Sequence, residues 1–368
     1  LGTNGVSRLN MTLSSTCVAT VNGTLNVYST ATNGLFTNSG TLSISSTGII
    51  ADGGGGNNTD FTLSATGILN VASTQGISTT AGTGNIRVTG TRTYTAGGEV
   101  VYNGSAAQVT GNGTPTTCDI TINNAAGVTL TAALTSTGTL TMTTGVLDLA
   151  NFNVSVAALA GSSDVTHFSG AAGARTLTIT GNTSTSYNGI ISTGTATSLS
   201  LIKNGNGTLT LLGLNTYNGT TTINAGTLSI TTLGNVGGGS SSLGAPTTVA
   251  NGTIAMGTNG TLRYTGSGHS SNRVINTTAD GPTIDASGVG TLTLTGGVTA
   301  SGNNNINLIG TGTGIFQTAA IAGGSGTLTK NGAGTWVLGA ANTYTGTTNV
   351  DGGILEYGVN NAISNGAV

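Results

Sequence analysis

Apolar and polar residues alternate in short runs from one end of the chain to the other, and each run stops at Asn-Gly, Gly-Gly or Thr-Gly. Gly23-Thr-Leu-Asn-Val, Gly40-Thr-Leu-Ser-Ile, Gly207-Thr-Leu-Thr-Leu and Gly290-Thr-Leu-Thr-Leu share the pattern Gly-Thr-Leu-polar-apolar, and Arg175-Thr-Leu-Thr-Ile-Thr repeats it with Arg at the first place. A period of two places Leu on one face of a strand and β-branched Thr on the other. Gly or Asn at the bend takes the left-handed backbone that other residues resist. No 3.6-residue periodicity competes, so the chain is expected to be all-β. The strands are too short for a sandwich of long strands, yet each has an apolar face to bury. Coiling the chain so that each strand stacks on its equivalent in the next turn solves this, which predicts a right-handed parallel β-helix, or β-solenoid. At about 20 to 25 residues per coil and ~4.8 Å per rung, the chain would form roughly fifteen coils and a rod about 70 to 80 Å long.

One stretch occurs twice. Leu201-Ile-Lys-Asn-Gly-Asn-Gly-Thr, Asn215-Thr-Tyr-Asn-Gly-Thr-Thr and Gly226-Thr-Leu return as Leu328-Thr-Lys-Asn-Gly-Ala-Gly-Thr, Asn342-Thr-Tyr-Thr-Gly-Thr-Thr and Gly353-Ile-Leu. The offset is constant, so that Lys203 answers to Lys330, Asn215 to Asn342, Tyr217 to Tyr344 and Leu228 to Leu355 without a gap. The repeat-defining positions are Lys203, Asn204, Gly205, Gly207, Asn215, Tyr217 and Gly219 in the first copy. In the second they are Lys330, Asn331, Gly332, Gly334, Trp336, Asn342, Tyr344 and Gly346. These segments resemble the autotransporter-associated β-strand repeat in passenger regions of secreted bacterial proteins. Upstream, Val101-Tyr-Asn-Gly-Ser-Ala-Ala-Gln-Val and Gly145-Val-Leu-Asp-Leu-Ala-Asn-Phe-Asn-Val are similar to segments of very large secreted surface proteins. The resemblance implies secretion and a surface role such as stalk, matrix or filament protein. It says little about activity. The expected organisation is a single solenoid over 1–368, with divergent coils in 1–197 and the two clear copies in 198–368.

Composition sharpens this picture. The 368 residues include 64 Gly but only 3 Pro, 5% charged and 4% aromatic residues, with 36% hydrophobic. A chain so poor in ions is neither an ordinary charged enzyme nor a charge-driven disordered segment, and the glycines show no collagen period. Ser, Thr and Asn keep the exterior wet. The net charge of −2 comes from scattered single residues, so no basic patch awaits nucleic acid. No apolar run reaches the ~18 residues of a membrane span. A solenoid usually closes with a cap, and neither Leu1-Gly-Thr-Asn-Gly nor Asn360-Asn-Ala-Ile-Ser-Asn-Gly-Ala-Val reads as one. Both ends are therefore expected to continue, into a longer polypeptide or into the next subunit of a head-to-tail homo-oligomer or fibre.

Candidate chemistry is sparse. His269, Arg273, Asp280 and Asp285 form the densest group of titratable residues; converging in a groove, they could cleave a polysaccharide by acid/base chemistry. The competing reading is that Asp280-Gly-Pro is a turn and Asp285 solvates a strand end. No catalytic residue is assigned and no enzyme activity is expected. Tyr217, Tyr344 and Trp336 could stack on sugar rings of a glycan or cell-surface ligand, as an adhesin would require, or fill the core. Thr-x-Thr triplets at Thr129, Thr139, Thr176, Thr178, Thr208, Thr291 and Thr327 are spaced unequally, so they do not imply the two-column lattice of an ice-binding face. His167 and His269 have no partners at ligand spacing, no metal or other cofactor is expected, and the Gly53-Gly-Gly-Gly run lacks a calcium-binding repeat. By parity Cys17 and Cys118 both face the core, as small buried hydrophobes or as a bridge between distant coils.

Overall fold

The computed structural model describes residues 10–27, 33–53, 58–78 and 82–363. The termini Leu1–Gly5 and Ser364–Val368 and the glycines Gly54–Gly56 lie outside the described residues. The chain is an all-β parallel β-solenoid, with one short helix, Val249–Gly252, among the described residues. No helix there is long and apolar enough to cross a membrane. Two compact units, Leu1–Ala171 and Ala172–Val368, are distinguished.

In the first unit Asn10–Leu13, Gly34–Asn38, Thr59–Leu63 and Arg92–Tyr94 stack as one parallel ladder. A second ladder runs through Val18–Val21, Thr41–Ile44, Ile68–Val71, Glu99–Tyr102, Asp119–Asn123, Leu134–Thr144 and Val154–Gly161. Short ladders close the remaining sides, among them Gln108–Val109, Val128–Thr129, Leu147–Asp148 and Val165–Thr166. Alternation decides what lies inside. In Thr59–Leu63 the residues Thr59, Phe61 and Leu63 are buried while Asp60 and Thr62 face outward. The Phe61 ring stacks in parallel on Phe36 of the preceding coil at 5.9 Å.

Among its described residues the second unit has three ladders, first to third in their order around a coil. The first holds Ala174–Ile179, Ser198–Lys203, Thr221–Ile223, Ile254–Met256, Ile275–Thr277, Val298–Ala300 and Ile321–Ala322. The second holds Thr185–Tyr187, Thr208–Leu211, Gly226–Ile230, Gly260–Tyr264, Thr283–Ala286, Ile306–Ile309, Leu328–Lys330 and Thr348–Val350. The third holds Ser267–Ser271, Gly290–Leu294, Thr313–Phe316, Thr335–Leu338 and Ile354–Tyr357. Apolar side chains form columns along the stack: Leu209, Leu228, Leu262, Ile284 and Leu308 are consecutive register partners. Burying each such side chain contributes roughly 1.5–3 kcal/mol.

Coil length is less uniform than the repeat suggests. The step from Thr208 to its partner Thr227 is short, whereas the next, from Gly226 to Gly260, is nearly twice as long. The extra residues of that longer step leave the ladders between Ile230 and Ile254, the stretch that carries the short helix. Such excursions absorb unequal spacing without disturbing register. Thr208, Thr227, Thr261 and Thr283 consequently form one outward column, continued by Asn307, Thr329 and Asn349, although their sequence intervals differ.

Candidate functional site

The repeat motif encodes one complete coil and the start of the next. In the first copy Leu201 pairs with Thr221, Lys203 with Ile223 and Leu209 with Leu228. In the second, Leu328 pairs with Thr348, Lys330 with Val350 and Trp336 with Leu355. Each motif therefore stacks on its own tail in the same register. The copies nevertheless occupy different sides of the unit. Lys203 lies in the first ladder and Lys330 in the second, because the offset between the copies spans a whole number of coils plus one further strand.

Both repeat lysines point inward. Lys203 sits in a column between Ile179 and Ile223, and Lys330 follows Leu308 in the leucine column. Both are fully buried. Their parity with Leu201 and Leu328 carried this signal in the sequence, where a charged residue reads most readily as solvated. The Lys330 ammonium donates to the carbonyls of Asn331, Gly332 and Gly352, each at 2.9 Å, and so ties its own corner to the next coil. Lys203 donates to the Gly205 carbonyl. Burial disfavours the charged form of both. It lowers the Lys203 pKa to about 8, and that of Lys330 also falls.

The asparagines bind three coils together. Asn215 Oδ1 accepts the Ile191 N–H at 2.8 Å while its Nδ2 donates to the Ser242 carbonyl at 2.7 Å. Asn342 accepts the Ile321 N–H at 2.7 Å and donates to the Ala362 carbonyl. The tyrosines are buried as well, each bonded to the threonine four residues on: Tyr217 to Thr221 at 2.8 Å and Tyr344 to Thr348 at 2.7 Å. Trp336 is buried, stacks on Phe316 at 5.3 Å and donates from Nε1 to the Ile309 carbonyl at 2.9 Å. These three aromatic side chains have no face free for a sugar ring. At Gly205, Gly207, Gly219, Gly334 and Gly346 a Cβ would stand only 1.9–2.5 Å from a carbonyl oxygen of the preceding coil. The left-handed corners Gly226 (φ +66°) and Gly353 (φ +67°) match almost to the degree.

Each of the four titratable candidates is engaged by partners of its own. Half-buried His269 meets the Tyr264 hydroxyl through Nδ1 at 2.9 Å. Arg273 is buried and donates to the carbonyls of Gly234, Leu243 and Gly244, which anchors the long excursion. Exposed Asp280 accepts from the Asn305 N–H at 2.7 Å on the following coil. Asp285 is buried and pairs with Nε of Arg263, its register partner, at 2.6 Å. A groove of about 320 Å³ beside Asp285 is lined by Ser287, Ile309, Gly310, Thr311 and Asn331, and by none of the other three candidates. The partner Arg263 was not singled out from sequence, since parallel register alone brings it opposite Asp285. Among the described residues no group of three or more His, Cys, Asp or Glu side chains could hold a metal ion.

Cys118 is buried, its thiol donating to the Thr95 carbonyl, but Cys17 is exposed, which corrects the expectation that both face the core. The Ser14–Cys17 turn interrupts the alternation on which that expectation rested. Both are free. Register places Cys17, Gly40, Gly67, Gly98 and Cys118 in one corner column. Four rungs of ~4.8 Å separate the two thiols by about 19 Å, far beyond bridging distance within one chain.

One exposed aromatic stands over a groove. Phe168, 63% exposed, borders a cavity of about 250 Å³ floored by Ala107, Ala125, Gly127, Val128 and Val146. Asp148 beneath it accepts the N–H groups of Ala150 (3.0 Å), Phe168 (2.8 Å) and Ser169 (3.1 Å) and the Ser169 hydroxyl. Burial alone would raise its pKa, but the Ser169 hydroxyl and the three N–H groups together hold it below the ordinary carboxylate value. The carboxylate thereby pins the turn that presents Phe168. The sequence marked neither residue, because Asp148 stands alone and Phe168 belongs to no repeat.

Comparison with known proteins agrees with this geometry. The family described as passenger-associated-transport-repeat matches residues 201–230 and 328–356, the two self-stacking coils. Over 141 residues the chain is 42% identical to the adhesin BmaC autotransporter of Brucella suis biovar 1 (strain 1330). That match covers 36% of this chain and 4% of the relative, so the chain spans only a small part of that protein's length. No solved structure matches the chain. The chain thus resembles passenger-associated β-solenoid repeat proteins related to autotransporter adhesins.

Proposed function

We propose that this chain is a length of extracellular stalk, a single continuous β-solenoid across residues 1–368 that sets distance between a bacterial surface and whatever lies beyond it. The observation that carries this reading is where the repeat spends its distinctive residues. Lys203, Lys330, Asn215, Asn342, Tyr217, Tyr344 and Trp336, the groups best suited to catalysis or recognition, are buried and have their polar atoms bonded within the stack. A repeat whose chemistry is consumed by its own stacking transmits length and stiffness. The name of the adhesin relative and the secretion implied by the passenger repeat support an extracellular setting. A parallel ladder accepts a further rung with the same bonds it already makes, so the natural partners are more coils, in the same polypeptide or in neighbouring copies. Electron microscopy of the purified chain tests this. Rods that lengthen when the coil 201–220 is duplicated are expected; compact particles of unchanged length would overturn it.

A second reading, adhesion through one face, is favoured by Phe168 over its groove. An exposed aromatic rigidly held beside a shallow apolar floor suits the apolar face of a sugar. Phe168→Ala should then lower binding to glycan-coated beads without altering rod length, and unchanged binding would dismiss it.

A further inference from the structure

We propose that Asn331–Gly332 is a self-modifying site, at which the folded second repeat drives conversion of Asn331 to aspartate or isoaspartate, while the equivalent Asn204–Gly205 is protected. Three differences between the two corresponding corners carry this. In the second copy the Gly332 N–H is directed at the Asn331 side chain itself, 2.6 Å from Oδ1, with Gly332 at φ +77°. The nitrogen is thus held close to the carboxamide carbon that it would attack. In the first copy the Gly205 N–H points to the Ile179 carbonyl of the preceding coil.

The second difference lies on the next coil. Asn204 Oδ1 is occupied by Nδ2 of Asn224 at 2.7 Å. The position equivalent to Asn224 is Asp351, and each donates its backbone N–H to the carbonyl of its repeat lysine at 2.8 Å. The Asp351 side chain lacks the amide NH2 with which Asn224 reaches its neighbour, so the Asn331 carboxamide is left to its own backbone. The third difference is the lysine. Lys330 donates to the Asn331 carbonyl at 2.9 Å, which belongs to the very peptide whose nitrogen must become a nucleophile. An ammonium on that oxygen stabilises the negative charge that develops when the N–H proton leaves. Lys203 bonds instead to Gly205 O, one peptide further on.

The chemistry balances with water as the only co-reactant. The Gly332 nitrogen loses its proton to solvent and attacks Cγ of Asn331. The Cγ–Nδ2 bond breaks, and ammonia leaves with a proton from solvent. Water then opens the resulting succinimide at one carbonyl or the other, giving aspartate or isoaspartate. Asn331 is exposed, so water has access. Other Asn-Gly corners are held differently: Gly113 N–H bonds to Ile77 O at 2.8 Å, Gly219 to Leu199 O at 2.9 Å, Gly252 to Thr248 O at 2.9 Å and Gly104 to Gln108 Oε1 at 2.7 Å. Either product places a carboxyl at the corner whose carbonyls hold Lys330.

The test is to store the folded chain at 37 °C in mildly alkaline buffer and follow the amide-to-acid mass change at each Asn-Gly pair by peptide mapping. Asn331 is expected to convert about tenfold faster than Asn204, a modest share of what positioning can supply. Asp351→Asn, which reproduces the first copy's residue, should slow Asn331 several-fold. In urea the two pairs should react alike, because both are Asn followed by Gly. Equal rates in the folded chain, an unchanged rate in Asp351→Asn, or a difference that persists in urea would each overturn the proposal.

Discussion

Asn215 and Asn342 hold the same place in the two repeat copies and lie on different sides of one unit, yet each accepts a backbone N–H from the coil before it and donates to a carbonyl of the coil after it. The motif carries its bonding with it wherever it enters the stack. Replacing either by Ala would leave a buried N–H and a buried carbonyl without partners, at about 1–3 kcal/mol for each group. Hydrogen exchange should show it locally: the Ile191 amide loses protection in Asn215→Ala and the Ile321 amide in Asn342→Ala, each without effect on the other.

Stability should rise, not fall, as pH climbs through Lys203. Its folded pKa is about 8, against ~10.4 for a free lysine, so between these values the unfolded chain binds more protons than the folded one. Linkage then adds about 1 kcal/mol of stability from pH 8 to pH 9, as the buried ammonium is relieved of its charge and before the buried tyrosines, whose pKa values burial raises, begin to oppose it. Urea melts at both pH values would show the gain in the parent chain. Lys203→Met, which removes this contribution and leaves that of Lys330, should reduce the gain.

Trp336 and Gly314 are register partners, and a Cβ on Gly314 would come within 2.6 Å of the indole ring. Gly314→Ala should therefore destabilise the third ladder by about 1–3 kcal/mol through overpacking. Trp336→Leu alone opens a cavity, but combined with Gly314→Ala it makes room for the methyl. A double-mutant cycle on thermal unfolding should give a favourable coupling energy, whereas simple additivity would show that the two side chains do not compete for the same space.

Local chemistry made much of this protein legible in advance. Period-two alternation, Gly-Thr-Leu units and Asn-Gly corners each follow from the conformational preferences of single residues, and together they require a stack of short parallel strands. The repeat offset likewise follows from sequence alone. Parity could even have placed Lys203 and Lys330 inside, beside Leu201 and Leu328. What lay beyond reach depends on which residue of one coil meets which residue of another. Excursions of unequal length decide that register, and no single segment records it. Only the stack sets Arg263 against Asp285, gives His269 and Asp280 different partners and lines Cys17 up with Cys118 four rungs away. A strand's own residues determine its two faces, because alternation is a property of the backbone; its neighbours along the axis are chosen by burial and hydrogen bonding across coils distant in sequence.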